Sequence, residues 1–170
     1  MGLTTSGALD SVIPLPASEI IESGYSSGTE TEDHFIIRNG KEFAGTHIIL
    51  DLWEAYRLDD LAHMEAAMRE AIKVCGATLL HIHLHHFTPS GGISGVAVLA
   101  ESHISVHTWP ERNFAAFDVF MCGEAQPENA GPVLQRYFEP GKMNISQHQR
   151  GVVNHGVMNY GAINHSVVNK

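Results

Sequence analysis

The 170-residue chain reads as an α+β fold, a two-layer α/β sandwich in which a mainly antiparallel sheet carries helices on one face. Three observations predict it. From Thr78 to His86, Leu80, Ile82 and Leu84 alternate with His81, His83 and His85, the period of a strand with one face turned inward. From 58 to 75, Leu58, Leu61, Met64, Met68, Ile72 and Cys75 recur three and four residues apart, the period of an amphipathic helix. The strand-like segments that follow are joined by short turns. Such turns suit antiparallel neighbours, because parallel strands need long crossovers.

The elements follow in order. Residues 1–44 are rich in Ser, Thr, Gly and Glu, and Ser26 to Asp33 has the polarity of exposed linker. Short apolar pieces (Val12-Ile13, Ile20-Ile21, Phe35-Ile36-Ile37) are able to dock, so a partly ordered extension is expected ahead of one domain at 45–150. His47 to Trp53, bounded by Gly45, reads as a strand. The helix after it ends at Gly76, a residue suited to the position just past a helix. Thr78–His86 is the next strand, and Pro89-Ser-Gly-Gly92 a turn. Val96–Thr108 reads as one long strand and Ala115–Cys122 as another. A second helix is expected over 127–138 behind Pro127, and a last strand over Asn144–Gln149. Residues 151–170 form a low-complexity tail in which Asn154, Asn159, Asn164 and Asn169 each follow an apolar pair. Four copies are too few for a solenoid.

Composition narrows the class. Hydrophobic residues make up 44% and charged residues 17%, the balance of a folded soluble domain. Ten basic against 19 acidic side chains leave a formal charge of −9, which argues against binding nucleic acid or an anionic membrane. Charged residues or histidines interrupt every apolar run, so no membrane span is predicted, and the N-terminus lacks the order of a signal peptide. Two cysteines, Cys75 and Cys122, make no disulfide framework and point to a reducing, cytoplasmic setting.

Histidine is abundant, at 12 residues. Imidazoles two apart on a strand can share a metal, but His81, His83 and His85 have no closed ligand set beside them and no Cys-x-x-Cys occurs. No metal is expected. Glu101-Ser102-His103-Ile104-Ser105-Val106-His107 brings a serine close to histidines, without the Gly-x-Ser-x-Gly elbow of a hydrolase. From spacing alone Ser102 is more readily a strand serine than a nucleophile. Phe87, Trp109, Glu111 and Cys122 likewise read equally well as packing or surface residues.

Taken together, residues 85–123, HHFTPSGGISGVAVLAESHISVHTWPERNFAAFDVFMCG, resemble the prokaryotic S-adenosylmethionine decarboxylase proenzymes, which mature to pyruvoyl enzymes. The likeness spans about residues 45–150. It rests on the joint presence of Gly92-Ile-Ser94-Gly95, Glu101-Ser102-His103, His107-Thr-Trp109-Pro-Glu111 and Cys122-Gly123. The 1–44 stretch, the tail and the additional glycine of Gly91-Gly92 depart from the compact family pattern. The resemblance implies self-cleavage between Glu101 and Ser102, with Ser102 becoming the pyruvoyl group that forms a Schiff base with the substrate amine. It also implies that His107 accepts a proton during processing, that Ser94 assists processing, and that Cys122 donates a proton during decarboxylation. Phe87 and Trp109 would stack on adenine and Glu111 would bind the ribose hydroxyls.

The chemistry is consistent with this division. Decarboxylating an amino acid requires an electron sink, and a protein-bound pyruvoyl serves without pyridoxal phosphate. None of the four lysines (Lys41, Lys73, Lys142, Lys170) lies in a pyridoxal-phosphate motif. Five residues from Ser102 on the same predicted strand, His107 is expected near the scissile bond. The implied reaction yields decarboxylated S-adenosylmethionine, the aminopropyl donor of spermidine synthesis. The implied assembly is a homodimer of two-chain protomers with sites near the interface, since one short chain hardly encloses a nucleoside. Two rival readings are a pyruvoyl-dependent ornithine or arginine decarboxylase on the same scaffold, and an unprocessed regulatory homologue.

Overall fold

Residues 35–153 are described by a computed structural model; the polar stretch before them and the period-five repeat after them lie outside the described residues. The described chain opens with a hairpin of β1 (Ile36–Arg38) and β2 (Lys41–Phe43). Its two-residue turn is Asn39-Gly40, both with positive φ (52° and 73°). Asn-Gly is the pairing that such a turn favours. Phe43 is buried, so the hairpin anchors its end in the domain.

Six further strands form one antiparallel sheet in the spatial order β4-β5-β6-β7-β3-β8. They are β3 (Gly45–Trp53), β4 (Leu79–His86), β5 (Ile93–Leu99), β6 (Ser102–Trp109), β7 (Phe114–Cys122) and β8 (Lys142–Arg150). Helix α1 (Leu61–Val74) joins β3 to β4, and α2 (Ala130–Phe138) joins β7 to β8. The α+β sandwich expected from the periodicities is therefore the observed architecture.

Local chemistry sets the helix ends. Asp60 caps α1 by accepting the His63 N–H at 2.9 Å. Past the last turn, Gly76 has φ +76°, its N–H donates to the Lys73 carbonyl, and the Ala77 N–H donates to that of Ile72. This pair of bonds satisfies the terminal carbonyls and turns the chain into β4. Ahead of α2, Pro127–Asn129 forms a short 3₁₀ turn, so the second helix begins three residues later than its proline suggested.

One strand was misjudged. The single run expected over Val96–Thr108 is two strands, β5 and β6, folded back at Ala100-Glu101. That turn contains no Gly, Asn or Pro to announce it, and Glu101 itself takes the left-handed φ of 63°.

Strand alternation gives the sheet two unlike faces. Ile48, Leu50 and Leu52 of β3, Ile104 and Val106 of β6, and Ala115, Phe117, Val119 and Met121 of β7 are buried against the helices. Met64, Met68 and Ile72 of α1 and Val133, Leu134 and Phe138 of α2 pack against them, each large side chain contributing about 2 kcal/mol by leaving water. The other face carries no helix among the described residues. It presents Ile49, Trp53, Val96, Val98 and Trp109, all partly exposed, together with His81, His83, His85, His103 and His107.

Candidate active site

Ser102 is the first residue of β6, directly behind the left-handed Glu101. Its side chain is nearly buried, and its Oγ accepts the Cys122 N–H at 3.1 Å. Strand β7 thus ends beside the start of β6, and Ser102 and Cys122 open onto one cavity of about 300 Å³. The cavity is also lined by residues 76–78 after α1 and 123–125 after β7.

Close packing makes room for Cys122 there. Gly45 faces it across the β3–β7 ladder, and a Cβ on Gly45 would stand 3.1 Å from the Cys122 sulfur and 2.7 Å from the Met121 carbonyl. Only glycine leaves that space, a role the sequence did not reveal because it depends on strand pairing. Burial, and secondarily the negative charge of Glu101, pushes the Cys122 thiol above its ordinary pKa. At neutral pH the group is a thiol rather than a thiolate.

A second group of residues gathers at the other end of the same strands. Ser94 and His107 are opposite partners in the β5–β6 ladder, and Ser94 Oγ and His107 Nδ1 share a hydrogen bond of 2.8 Å. With Phe87, Ser90, Trp109 and Glu111 they line a cavity of about 280 Å³. Phe87 reaches it through the turn of 87–92, where its N–H donates to the Gly92 carbonyl and its carbonyl accepts the Gly91 N–H. Trp109 stacks on Phe114 with centroids 5.3 Å apart, and Phe114 on Trp53 at 4.3 Å, a three-ring shelf across β6, β7 and β3. Glu111 sits in the 3₁₀ turn Pro110–Arg112 immediately after β6.

The structure therefore brings Ser102, Glu101 and Cys122 together, and separately Phe87, Ser94, His107, Trp109 and Glu111. It does not bring His107 to Ser102 within the chain. Five steps along an extended strand cover about 16 Å, and an odd number of steps puts the two side chains on opposite faces. Closeness in sequence made the pair look adjacent. In a helix five residues span little more than one turn, but in a strand they span most of its length.

Between the two groups the open face carries Asp118, which the sequence reading passed over. Asp118 accepts from His47 Nε2 and from the Ser105 hydroxyl, each at 3.2 Å, and His47 Nδ1 accepts from Arg150 at 3.2 Å. His103 lies beside this cluster, stacked on Phe120; burial and the neighbouring His47 lower its pKa. The carboxylate is thus matched inside its own chain, which lets this half-apolar face accept cover without stranding that charge. His81, His83 and His85 line the outer strand β4, and among the described residues no three metal-ligating side chains converge. No helix among the described residues is long and apolar enough to cross a membrane.

The chain is similar to proteins of one described family. A family model described as S-adenosylmethionine decarboxylase matches residues 46–151. The S-adenosylmethionine decarboxylase proenzyme of Methanococcus maripaludis strain S2 is 47% identical over 113 residues, covering 65% of this chain and 92% of the relative. The proenzyme of the same description from Thermomicrobium roseum is 44% identical over 110 residues, 64% of this chain and 95% of the relative. The crystal structure of the adenosylmethionine decarboxylase from Aquifex aeolicus superposes with a TM-score of 0.60 at 31% identity, covering 68% of this chain and 97% of that one.

Proposed function

The chain belongs to the S-adenosylmethionine decarboxylase family, and we propose that it is made as a proenzyme that cuts itself between Glu101 and Ser102 and then decarboxylates S-adenosylmethionine. The observation that carries this reading is the setting of Ser102. Its hydroxyl is fixed by the Cys122 amide, one bond from a turn residue in a costly conformation, and at the wall of a cavity shared with a protonated thiol. A non-glycine residue in the left-handed region costs about 1–3 kcal/mol. Cleavage after Glu101 releases that cost.

The processing chemistry uses the chain's own atoms. Ser102 Oγ attacks the Glu101 carbonyl carbon; the peptide C–N bond breaks as an ester C–O bond forms, and the hydroxyl proton passes to the nitrogen, which becomes an amine. His107 takes the α-proton of Ser102, supported by Ser94, and the Glu101 carboxylate leaves. Residue 102, now unsaturated, is hydrolysed to pyruvoyl with loss of ammonia. The upstream chain becomes 1–101 and the downstream chain 102–170. The pyruvoyl group supplies an electrophilic carbonyl for the substrate amine and a sink for the electrons that carbon dioxide leaves behind. Cys122 holds the proton that replaces the departing carboxyl group, and its raised pKa keeps that proton in place at neutral pH. Phe87 and Trp109, both partly exposed rings, flank the adenine, and Glu111 accepts hydrogen bonds from the ribose hydroxyls.

Because His107 lies about 16 Å along β6 from Ser102 in its own chain, the base reaches Ser102 from a second copy. The half-apolar open face of the sheet is the surface such a copy covers, turned end for end so that the Ser94–His107 pair of one protomer meets the Ser102–Cys122 cavity of its partner. The proposed enzyme is thus a homodimer with two shared sites. The two free cysteines suit the reducing cytoplasm.

Substrate identity is read from carbon dioxide release by the purified protein given S-adenosylmethionine, ornithine or arginine separately. Release from S-adenosylmethionine alone is expected, yielding the aminopropyl donor of spermidine synthesis. Release from ornithine or arginine instead would retire Phe87, Trp109 and Glu111 as nucleoside contacts.

A further inference from the structure

Thr108 lies between His107 and Trp109 on β6, but its side chain faces the helices and is 7% exposed. Its hydroxyl is doubly used. It accepts the Ile93 N–H at 2.7 Å and donates to the Leu58 carbonyl at 2.9 Å. The β5–β6 ladder stops at Ser94–His107, one step before Ile93 would pair with Thr108. The hydroxyl therefore replaces a backbone acceptor and holds the strands together one residue past the end of the ladder.

Packing fixes the same joint from the other side. The Thr108 carbonyl lies 2.9 Å from where a Cβ on Gly92 would stand, so the turn of 87–92 rests on the Thr108 backbone. Leu58, the other partner, is buried in the segment between β3 and α1 and ties that segment to β6. Three pieces of chain meet at one hydroxyl. Four proposed site residues border the joint: His107 and Trp109 beside Thr108, Ser94 beside Ile93, and Phe87 at the start of the turn.

We infer that Thr108 is a positioning residue, a clamp whose hydroxyl sets Ser94 against His107 and the Phe87-bearing turn against Trp109. The residue borders the cavity of about 280 Å³, but its hydroxyl is engaged with Ile93 and Leu58 and acts through the residues that bind and react. The inference rests on the roles proposed above for Ser94, His107 and Phe87.

The test compares Thr108→Val, which keeps the shape and loses the hydroxyl, with Thr108→Ser, which keeps the hydroxyl. For Val, self-cleavage is expected to slow at least about tenfold, the scale of loss when a reacting pair shifts by a fraction of an ångström. In its processed fraction, KM for S-adenosylmethionine is expected to rise about fivefold, with kcat per processed site within about twofold, because the joint positions the adenine-binding rings and not Ser102 or Cys122. Ser is expected to match the wild type in all three. A purely structural role would lower Tm and the folded yield but leave the KM of the folded fraction unchanged. Wild-type rates and KM in Val, or equal losses in Val and Ser, overturn the clamp. If Val does not fold, Gly92→Ala replaces it, pressing on the same joint while the hydroxyl remains: slowed cleavage supports the clamp and unchanged cleavage overturns it. A wild-type chain that never cleaves would instead overturn the underlying processing reading.

Discussion

Ser102→Ala is expected to remain one 170-residue chain and to release no carbon dioxide from S-adenosylmethionine. The substitution removes the only oxygen on residue 102 able to form the ester with Glu101, and with it the precursor of the electrophilic carbonyl. Neither His107 nor Cys122 has an equivalent to offer, so the loss is complete rather than graded. Folding is retained. The side chain is small, and its single hydrogen bond to the Cys122 amide is worth about 1 kcal/mol. Denaturing gel electrophoresis after prolonged incubation, with a melting curve to establish the fold, checks both halves. A folded Ser102→Ala protein that is cut at 101–102 would place the nucleophile elsewhere.

The second large effect concerns sharing. His107→Ala alone is expected to stay uncut for as long as Ser102→Ala does. Co-expressed with Ser102→Ala, it should be cut. In a mixed dimer one site combines Ser102 from the His107→Ala chain with His107 from the other, while the second site has neither. Random pairing at equal amounts puts about half of the His107→Ala chains in mixed dimers, so about half should be processed. The variants differ in mass, which identifies the chain that is cut. Cleavage of His107→Ala by itself, or none in the mixture, would contradict a base supplied across the interface. The geometric ground is the length of β6: two residues five apart on one strand cannot meet, yet the Ser94–His107 pair is preassembled at 2.8 Å.

Much of the fold was legible because periodicity reports burial directly. Strand β4 alternates, α1 repeats every three or four residues, and Gly76 marks the helix end with the backbone freedom that position needs. The β1–β2 hairpin was missed: its Asn39-Gly40 turn lies inside what reads as a polar, partly ordered extension. The break between β5 and β6 was not legible. Ala100 and Glu101 have no turn preference, and the left-handed φ of Glu101 falls in the two-residue turn between Leu99 and Ser102, which pair across the ladder.

The site divides in the same way. Residue types and order across 85–123 carried the resemblance to the family, since Glu-Ser-His, His-Thr-Trp-Pro-Glu and Cys-Gly occur together. What stayed hidden depends on which strands lie side by side. Gly45 makes room for the Cys122 sulfur from 77 positions earlier in the chain, a relation only the β3–β7 register reveals. The Thr108 hydroxyl ties together Leu58 and Ile93, two residues that no sequence pattern links.

The account stands on one event, the conversion of Ser102 to pyruvoyl with cleavage after Glu101. Intact-mass spectrometry of the purified wild-type protein measures it directly. Two chains are predicted, one ending at Glu101 and one beginning at position 102, the latter lighter by one ammonia than a peptide starting with serine. A single species at the mass of the whole chain, or a downstream chain that still begins with serine, would contradict it.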